Sequence, residues 1–145
     1  MTLQFVPAVM LYFASVAVTA ALAFVTWRLK PQHAVTWIAI LIFVAIWTIG
    51  GILEACLLDL RLKTLAITAV SYVGVAGVIF FWPLFTIIYS KHAKWLNKYT
   101  IALLALIPIL NIIIINTNEW HHLYWTDTYL IEKNGFVFFQ GTRGI

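Results

Sequence analysis

The sequence from Pro108 to Trp125 reads PILNIIIINTNEWHHLYW: an apolar run, a polar Asn-Thr-Asn, and then a group of aromatic side chains and adjacent histidines. No charged residue occurs from Tyr99 to Asn118. A helix rising about 1.5 Å per residue needs roughly 20 such residues to cross a bilayer core. Three more uncharged stretches precede this one, at residues 1–27, 35–53 and 64–90. The sequence therefore predicts four membrane-spanning helices.

Composition supports an apolar environment. Of the 145 residues, 63% are hydrophobic and only 10% are charged, whereas soluble domains carry about 25% charged residues. The predicted fold class is an all-α membrane protein with helices at about residues 7–28, 33–57, 64–89 and 99–116. No Lys or Arg precedes the first helix, and its apolar run is longer than that of a signal peptide, so we expect it to be retained.

The distribution of charge predicts the orientation. Five basic residues and no acids occupy the loops after the first and third helices, and all five acids lie at the other end. Because basic loops stay in the cytoplasm, we expect the N-terminus and the tail to be extracytoplasmic. The formal net charge of +4 then reflects lysines near anionic lipid headgroups and does not indicate a nucleic-acid partner. The basic residues of those loops are Arg28, Lys30, Lys91, Lys94 and Lys98.

The tail carries a turn signal. Asn134-Gly135 separates the apolar segments 129–131 and 136–139, which predicts a short β-hairpin lying on the helix bundle. We expect two regions: a transmembrane part at residues 1–118 and an extracytoplasmic loop at 119–145. The abrupt end of the sequence after this loop suggests that a fifth helix would come next.

Small residues and prolines mark positions inside the predicted helices. The pairs Gly50-Gly51 and Gly74/Gly77 predict close contact between the second and third helices. Pro83 and Pro108 each remove a main-chain hydrogen bond, so each predicts a kink that is either structural or a hinge.

Several candidate ligand-binding residues lie at the predicted outer end. Glu54, an acid near the end of the second helix, indicates ligand contact or proton coupling, or else a side chain that snorkels or pairs with Arg61 or Lys63. Asn111 and Asn116 favour hydrogen bonds between helices, for which Tyr72 is a partner. These four candidates, together with His121 and His122, are also compatible with an outward-facing pocket.

The two histidines leave a second alternative open. His121 and His122 could bind a transition metal with Asp127 or Glu119, or a haem, since imidazole is a common ligand for both. Adjacent residues do not share a helix face, however, and no motif with ligand spacing accompanies them. The other interpretation is that they cap the free carbonyls at the end of the fourth helix. The cofactor therefore stays unknown.

Catalytic motifs are missing from the sequence. It contains no HExxH, GxSxG or CxxC motif and no phosphate-binding glycine loop, so we do not expect an enzyme. The single Cys56 cannot form an internal disulfide.

Four segments together resemble a known family. They are WTIGGILE at 47–54, YVGV at 72–75, FWPLF at 81–85 and NTNEWHHLYW at 116–125. In order and spacing they are similar to the first part of the N-terminal seven-helix sensor region of bacterial and archaeal histidine kinases. The resemblance covers nearly the whole chain. It implies an extracellular N-terminus, seven helices in a prokaryotic cytoplasmic membrane, and often a PAS domain and a kinase or cyclase output.

The resemblance implies a role in two-component signal transduction, with the ligand left open. The sequence shows neither a phosphoacceptor histidine box nor a glycine-rich ATP-binding segment, so no kinase activity is assigned to it. The alternative is a small structural or accessory subunit of a larger membrane complex. In either case the expected partners are the lipid bilayer and other transmembrane helices, from the missing part of its own bundle, a homodimer or a larger complex.

Overall fold

A computed structural model describes residues 3–31 and 33–144. Within these ranges four helices are long and apolar enough to cross a membrane, which agrees with the four predicted from hydropathy. A short fifth helix and two strands come after them. The elements are α1 Val9–Leu29, α2 Ala34–Cys56, α3 Leu60–Tyr89, α4 Lys98–Asn116, α5 Asn118–His121, β1 Trp125–Lys133 and β2 Phe136–Arg143.

Each long helix packs against the next one in the chain, so α2 lies beside both α1 and α3, and α3 lies beside α4. Short connections between successive helices make them antiparallel. The segment before α1, the α2–α3 connection and the hairpin therefore share one end of the bundle, here named the hairpin end. The loops after α1 and α3, with their basic residues, lie at the opposite end, here named the basic end.

Helix α3 begins earlier than predicted. The side chain of Asp59 accepts a hydrogen bond from the main-chain N–H of Leu62 at 2.9 Å, so it caps a helix that starts at Leu60 rather than near Thr64. Arg61 and Lys63 consequently belong to the first turn of α3 and not to a loop. This corrects the predicted boundary and brings two cations onto a helix.

A π-helical segment interrupts α3 at Ala66–Ser71, where the helix passes close to α2. A Cβ atom added to Gly50 would collide with Ser71, and one added to Gly74 would collide with the main chain of Trp47. The close helix contact predicted from these glycines is therefore confirmed. Single π turns inside α-helices occur frequently at functional sites.

Both prolines lie within continuous helices. Pro83 is part of α3, and Pro108 is buried in α4. The helical hydrogen-bonding pattern resumes on either side of each ring, and a hinge role for either residue stays a prediction.

The predicted hairpin is confirmed. β1 pairs with β2 in antiparallel register, with Lys133 opposite Phe136 across the turn. Asn134 and Gly135 both have positive φ, at 55° and 78°. This is the geometry of a two-residue type I′ turn, whose twist matches that of the strands, and it explains why Asn-Gly was an informative signal.

Candidate functional site

Gln4 connects three distant parts of the chain at the hairpin end. Its main-chain N–H donates to the carbonyl oxygen of Cys56 at 2.8 Å. Its side-chain Nε2 donates to the carbonyl oxygens of Ala55 at 2.8 Å and Val137 at 2.6 Å, while its Oε1 accepts from the N–H of Val137 at 2.7 Å. The Gln4 side chain thus forms the pair of hydrogen bonds with Val137 of β2 that a neighbouring strand would form. It also hydrogen-bonds to the end of α2.

Lys63 reaches the same point from α3. Its side chain is 0% exposed, and Nζ donates to the carbonyl oxygens of Glu54 at 2.6 Å and Val137 at 3.0 Å. A buried ammonium group is stable only when its donors are satisfied, and here main-chain carbonyls supply the acceptors. Pairing of the Glu54 side chain with Lys63 was one alternative for Glu54; the hydrogen bond that Lys63 forms goes instead to the main-chain carbonyl of Glu54. Gln4, Lys63 and Val137 are named the hairpin anchor below.

Asn118 shapes the connection from α4 to the hairpin. Its Oδ1 accepts from the N–H groups of Tyr124 at 2.7 Å and Trp125 at 3.1 Å, and its Nδ2 donates to the carbonyl oxygen of Trp125 at 2.9 Å. The side chain folds residues 118–125 into a closed loop that leads into β1. The Asn-Thr-Asn sequence was the signal that pointed here, because Asn side chains often replace main-chain partners in turns.

His121 acts within this loop. The N–H of Leu123 donates to Nδ1 of His121 at 3.1 Å, which leaves the proton on Nε2, 3.0 Å from Oγ1 of Thr117. Thr117 in turn donates to the carbonyl oxygen of Ile113 at 2.7 Å. Both ring nitrogens of His121 are therefore engaged in ordering the end of α4. Its partners are the Thr117 hydroxyl and the Leu123 N–H rather than the free carbonyls that the capping interpretation named, and Thr117 binds the Ile113 carbonyl instead.

His122, the residue after His121, has a left-handed backbone (φ 52°) and an exposed side chain. Among the described residues, no group of three or more His, Cys, Asp and Glu side chains is arranged to hold a metal ion. The two histidines thus lack the additional protein ligands that a structural or catalytic zinc site uses.

The remaining sequence candidates lie in different surroundings. The Tyr72 ring packs edge-on against Tyr124, with ring centroids 5.4 Å apart, and so joins α3 to the loop. Asn116 donates to the carbonyl oxygen of Ile112 at 2.9 Å, which leaves its Oδ1 available. Asn111 is half-buried in α4, about one turn before Ile115.

A cavity of about 610 Å³ opens between the start of α3, the end of α4, α5 and β1. This volume falls in the range of small-molecule sites, roughly 300–1,000 Å³. It is named the polar cavity below. The residues that line it are Asp59, Leu60, Arg61, Thr64, Leu65, Thr68, Ile115, Asn116, Asn118, Glu119, Trp125 and Thr128.

The polar cavity has a closed floor and a charged rim. Ile115 and Thr68 form the floor and are 2% and 7% exposed. Asp59, Arg61 and Glu119 stand exposed at the opening. Of the six candidate ligand-binding residues, Asn116 alone lines this cavity. A single pocket made by all six candidates is therefore not what the structure shows.

The six candidate residues do not form one pocket because α3 starts earlier than predicted. Positions 60, 61, 64, 65 and 68 have the spacing of one helix face and turn toward the cavity, while Lys63 turns the other way, toward Glu54 and the hairpin. The start of α3 thus separates the polar cavity from the hairpin anchor. The π-helical segment, which includes Thr68, comes directly after it.

A second cavity, of about 300 Å³, lies between α2, α3 and α4 at mid-helix and has an entirely apolar lining. Pro108 and Gly77 are among the residues that form it. It offers no polar group that would orient a ligand.

Comparison with known proteins identifies the family. The model of the N-terminal 7TM region of histidine kinase matches residues 11–145, which is nearly the whole chain. The chain belongs to this family, as its sequence segments indicated. No curated protein and no solved structure matches it. The four apolar helices are compatible with a multi-pass membrane sensor region, to which the family points.

Proposed function

We propose that this chain is the signal-input region of a transmembrane sensor histidine kinase, with its hairpin end outside the cytoplasmic membrane of a prokaryote. The polar cavity carries the proposal, because a ligand-sized cavity with a charged rim lies at the end predicted to face outward. Membership of the histidine kinase 7TM family supports a role in sensing. The basic end then faces the cytoplasm, where an output domain would act.

Helix α3 is the element that would transmit a signal. Its first turns line the polar cavity, its π-helical segment begins at Ala66, and its last residue, Tyr89, lies at the basic end. A π turn holds one residue more than an α turn of the same length, so a local shift in its hydrogen bonds rotates the remainder of the helix. Occupation of the cavity would act on this segment through Thr68, and Pro83 is the candidate hinge farther along.

The test uses the histidine kinase that carries this region, reconstituted in lipid vesicles. We expect Thr68→Val, which keeps the side-chain shape and removes the hydroxyl from the cavity floor, to change the rate of autophosphorylation. Thr126→Val is the matched control, because Thr126 is exposed on the hairpin and does not line the cavity. Equal rates for wild type and Thr68→Val, in a kinase shown to respond to its stimulus, would count against the proposal.

Native mass spectrometry separates this function from that of an accessory subunit. Much of the apolar surface of α1 is exposed, including Leu11, Phe13 and Leu22, and this surface would suit either lipid or partner helices. The chain would be purified in mild detergent from its native membrane. Other polypeptides bound at fixed stoichiometry, without any kinase domain, would favour the accessory subunit.

A further inference from the structure

Two opposite charges face the opening of the polar cavity from different helices. Arg61 comes from α3 and Glu119 from α5, and neither forms an ion pair or a side-chain hydrogen bond with another residue in the described part of the chain. Asp59 adds a second carboxylate, of which Oδ1 is used to cap α3. The rim thus offers one guanidinium group and two carboxylates to a molecule entering the cavity.

Below this rim the lining combines apolar side chains with hydroxyl and amide groups. Ile115 lies buried on the floor beside Thr68, and the half-exposed Leu65 and the Trp125 ring form part of the wall. The indole is held in place by Phe139, with ring centroids 5.4 Å apart, and by Gly141, at which an added Cβ would collide with it. A preformed apolar wall beneath a charged opening is typical of sites that bind molecules with one polar and one apolar part.

We propose that the polar cavity binds a compact zwitterion that carries an apolar group, with its anionic end at Arg61, its ammonium group at Glu119 and Asp59, and its apolar part against Ile115 and Trp125. This rests on the proposed function, for which it names the class of ligand. An α-amino acid with an apolar side chain has this chemistry. An ethanolamine phospholipid, with its phosphate and ammonium groups, has it too.

The arrangement of charge makes both ends of the ligand necessary. Arginine binds carboxylates and phosphates through two parallel hydrogen bonds, and carboxylates favour an ammonium group. A ligand with only one of these groups leaves part of the rim without a partner, and each lost charge-assisted hydrogen bond costs about tenfold in affinity or more. A small zwitterion without an apolar group would leave Ile115 and the Trp125 ring without a contact, so we expect it to bind more weakly.

The experiment measures binding to the full chain in nanodiscs of phosphatidylglycerol, by isothermal titration calorimetry, with leucine, leucinamide and N-acetylleucine as probes. We expect leucine to bind about tenfold more tightly than either analogue. Arg61→Gln should weaken leucine binding about tenfold and leave leucinamide unaffected, because leucinamide has no carboxylate. Glu119→Gln should instead spare N-acetylleucine, which has no ammonium group.

Matched controls come from the hairpin turn. Glu132 and Lys133 are exposed and lie outside the cavity lining, so Glu132→Gln and Lys133→Gln repeat the two charge changes without touching the site. Both variants should bind leucine as the wild type does. A loss of binding in these variants equal to that in Arg61→Gln and Glu119→Gln would show that only the overall charge matters, and it would overturn the proposal.

A second series identifies the source of the zwitterion. In nanodiscs containing phosphatidylethanolamine, native mass spectrometry should detect a retained ethanolamine lipid, lost in Arg61→Gln, if a headgroup is the occupant. Leucine binding in discs without that lipid identifies a free amino acid instead. If neither leucine nor the lipid binds, or if the analogues bind as tightly as leucine, the proposal is wrong. If the ligand binds in the charge-dependent way described but does not change kinase autophosphorylation, the binding proposal stands and only the signalling role is refuted.

Discussion

Gln4 determines how firmly the hairpin is held. Its side chain makes three hydrogen bonds, two of them to the same residue of β2 and one to the end of α2. A single neutral hydrogen bond contributes about 0.5–1.5 kcal/mol, and an N–H left without an acceptor adds a desolvation cost. Because the contacts converge on one side chain, a single substitution removes all of them.

We therefore expect Gln4→Ala to loosen the hairpin and to lower the free energy of unfolding by about 1–3 kcal/mol. Amide hydrogen exchange of residues 136–143 and thermal unfolding in detergent would measure the two effects. Gln140→Ala is the control, since Gln140 is an exposed residue of β2. Exchange in β2 that is no faster in Gln4→Ala than in Gln140→Ala would contradict the role given to Gln4.

At the level of single residues, the sequence indicated that the polar side chains of interest lie at the hairpin end, but it predicted few of their hydrogen-bond partners. His121 binds Thr117 and Leu123 rather than the free carbonyls that the capping interpretation named. The Asn-Thr-Asn segment does contain the residue that shapes the loop. The burial of Lys63 could not be predicted, because it depends on Val137, 74 positions away. A lysine close to a helix end is equally compatible with snorkelling to the membrane surface.

Among the elements, the contact between α2 and α3 depends on glycines at the crossing. At Gly74 the main chain of Trp47 occupies the place that a side chain would need. At Gly51 the nearest atom to an added Cβ is the Tyr12 ring at 3.6 Å, an ordinary van der Waals distance. The two positions therefore allow the same substitution to be compared in a tight and in a loose setting.

We expect Gly74→Ala to destabilise the bundle by about 1–3 kcal/mol, the usual cost of forcing an extra methyl group into a packed contact. Gly51→Ala should have little effect or stabilise α2 slightly, since alanine favours a helix. The midpoint of thermal unfolding in detergent would compare the two variants. A Gly51→Ala variant as unstable as Gly74→Ala would show that helix packing is not the cause.

The elements themselves could largely be predicted, because each arises from local sequence. Uncharged stretches gave the four helices, and Asn-Gly gave the hairpin turn. The early start of α3 was also readable, since Asp59 is a good N-cap residue ahead of an apolar helix. The π-helical segment and the polar cavity could not be foreseen, because they result from how α3 fits against its neighbours.

For the whole molecule, the positions of the charges predict which end faces outward. The hairpin turn and the 3₁₀ turn at Ala93–Trp95 lie at opposite ends of the bundle, and each carries exposed residues. Site-directed labelling would test the orientation in a Cys56→Ala background, which removes the native thiol. Asn134→Cys and Lys94→Cys place one thiol at each end.

A membrane-impermeant maleimide should label Asn134→Cys in intact cells, and it should label Lys94→Cys only after the cells are opened. The two positions should differ because the basic loops stay in the cytoplasm, where the reagent cannot reach Lys94→Cys in intact cells. The reverse pattern would invert the topology and place the polar cavity inside the cell. Labelling of both variants in intact cells would indicate two populations of opposite orientation.

The hairpin anchor also has a consequence for how the protein is made. The hydrogen bonds between Gln4 and Val137 join residues 133 positions apart, and Lys63 completes its pair of carbonyl partners only through Val137. During synthesis the N-terminal segment, α2 and α3 leave the ribosome long before β2 exists. The ammonium group of Lys63 must therefore stay hydrated at the membrane surface until the hairpin arrives. Docking of the hairpin, and with it completion of the β1 wall of the polar cavity, accordingly comes after the N-terminal segment, α2 and α3 have been made.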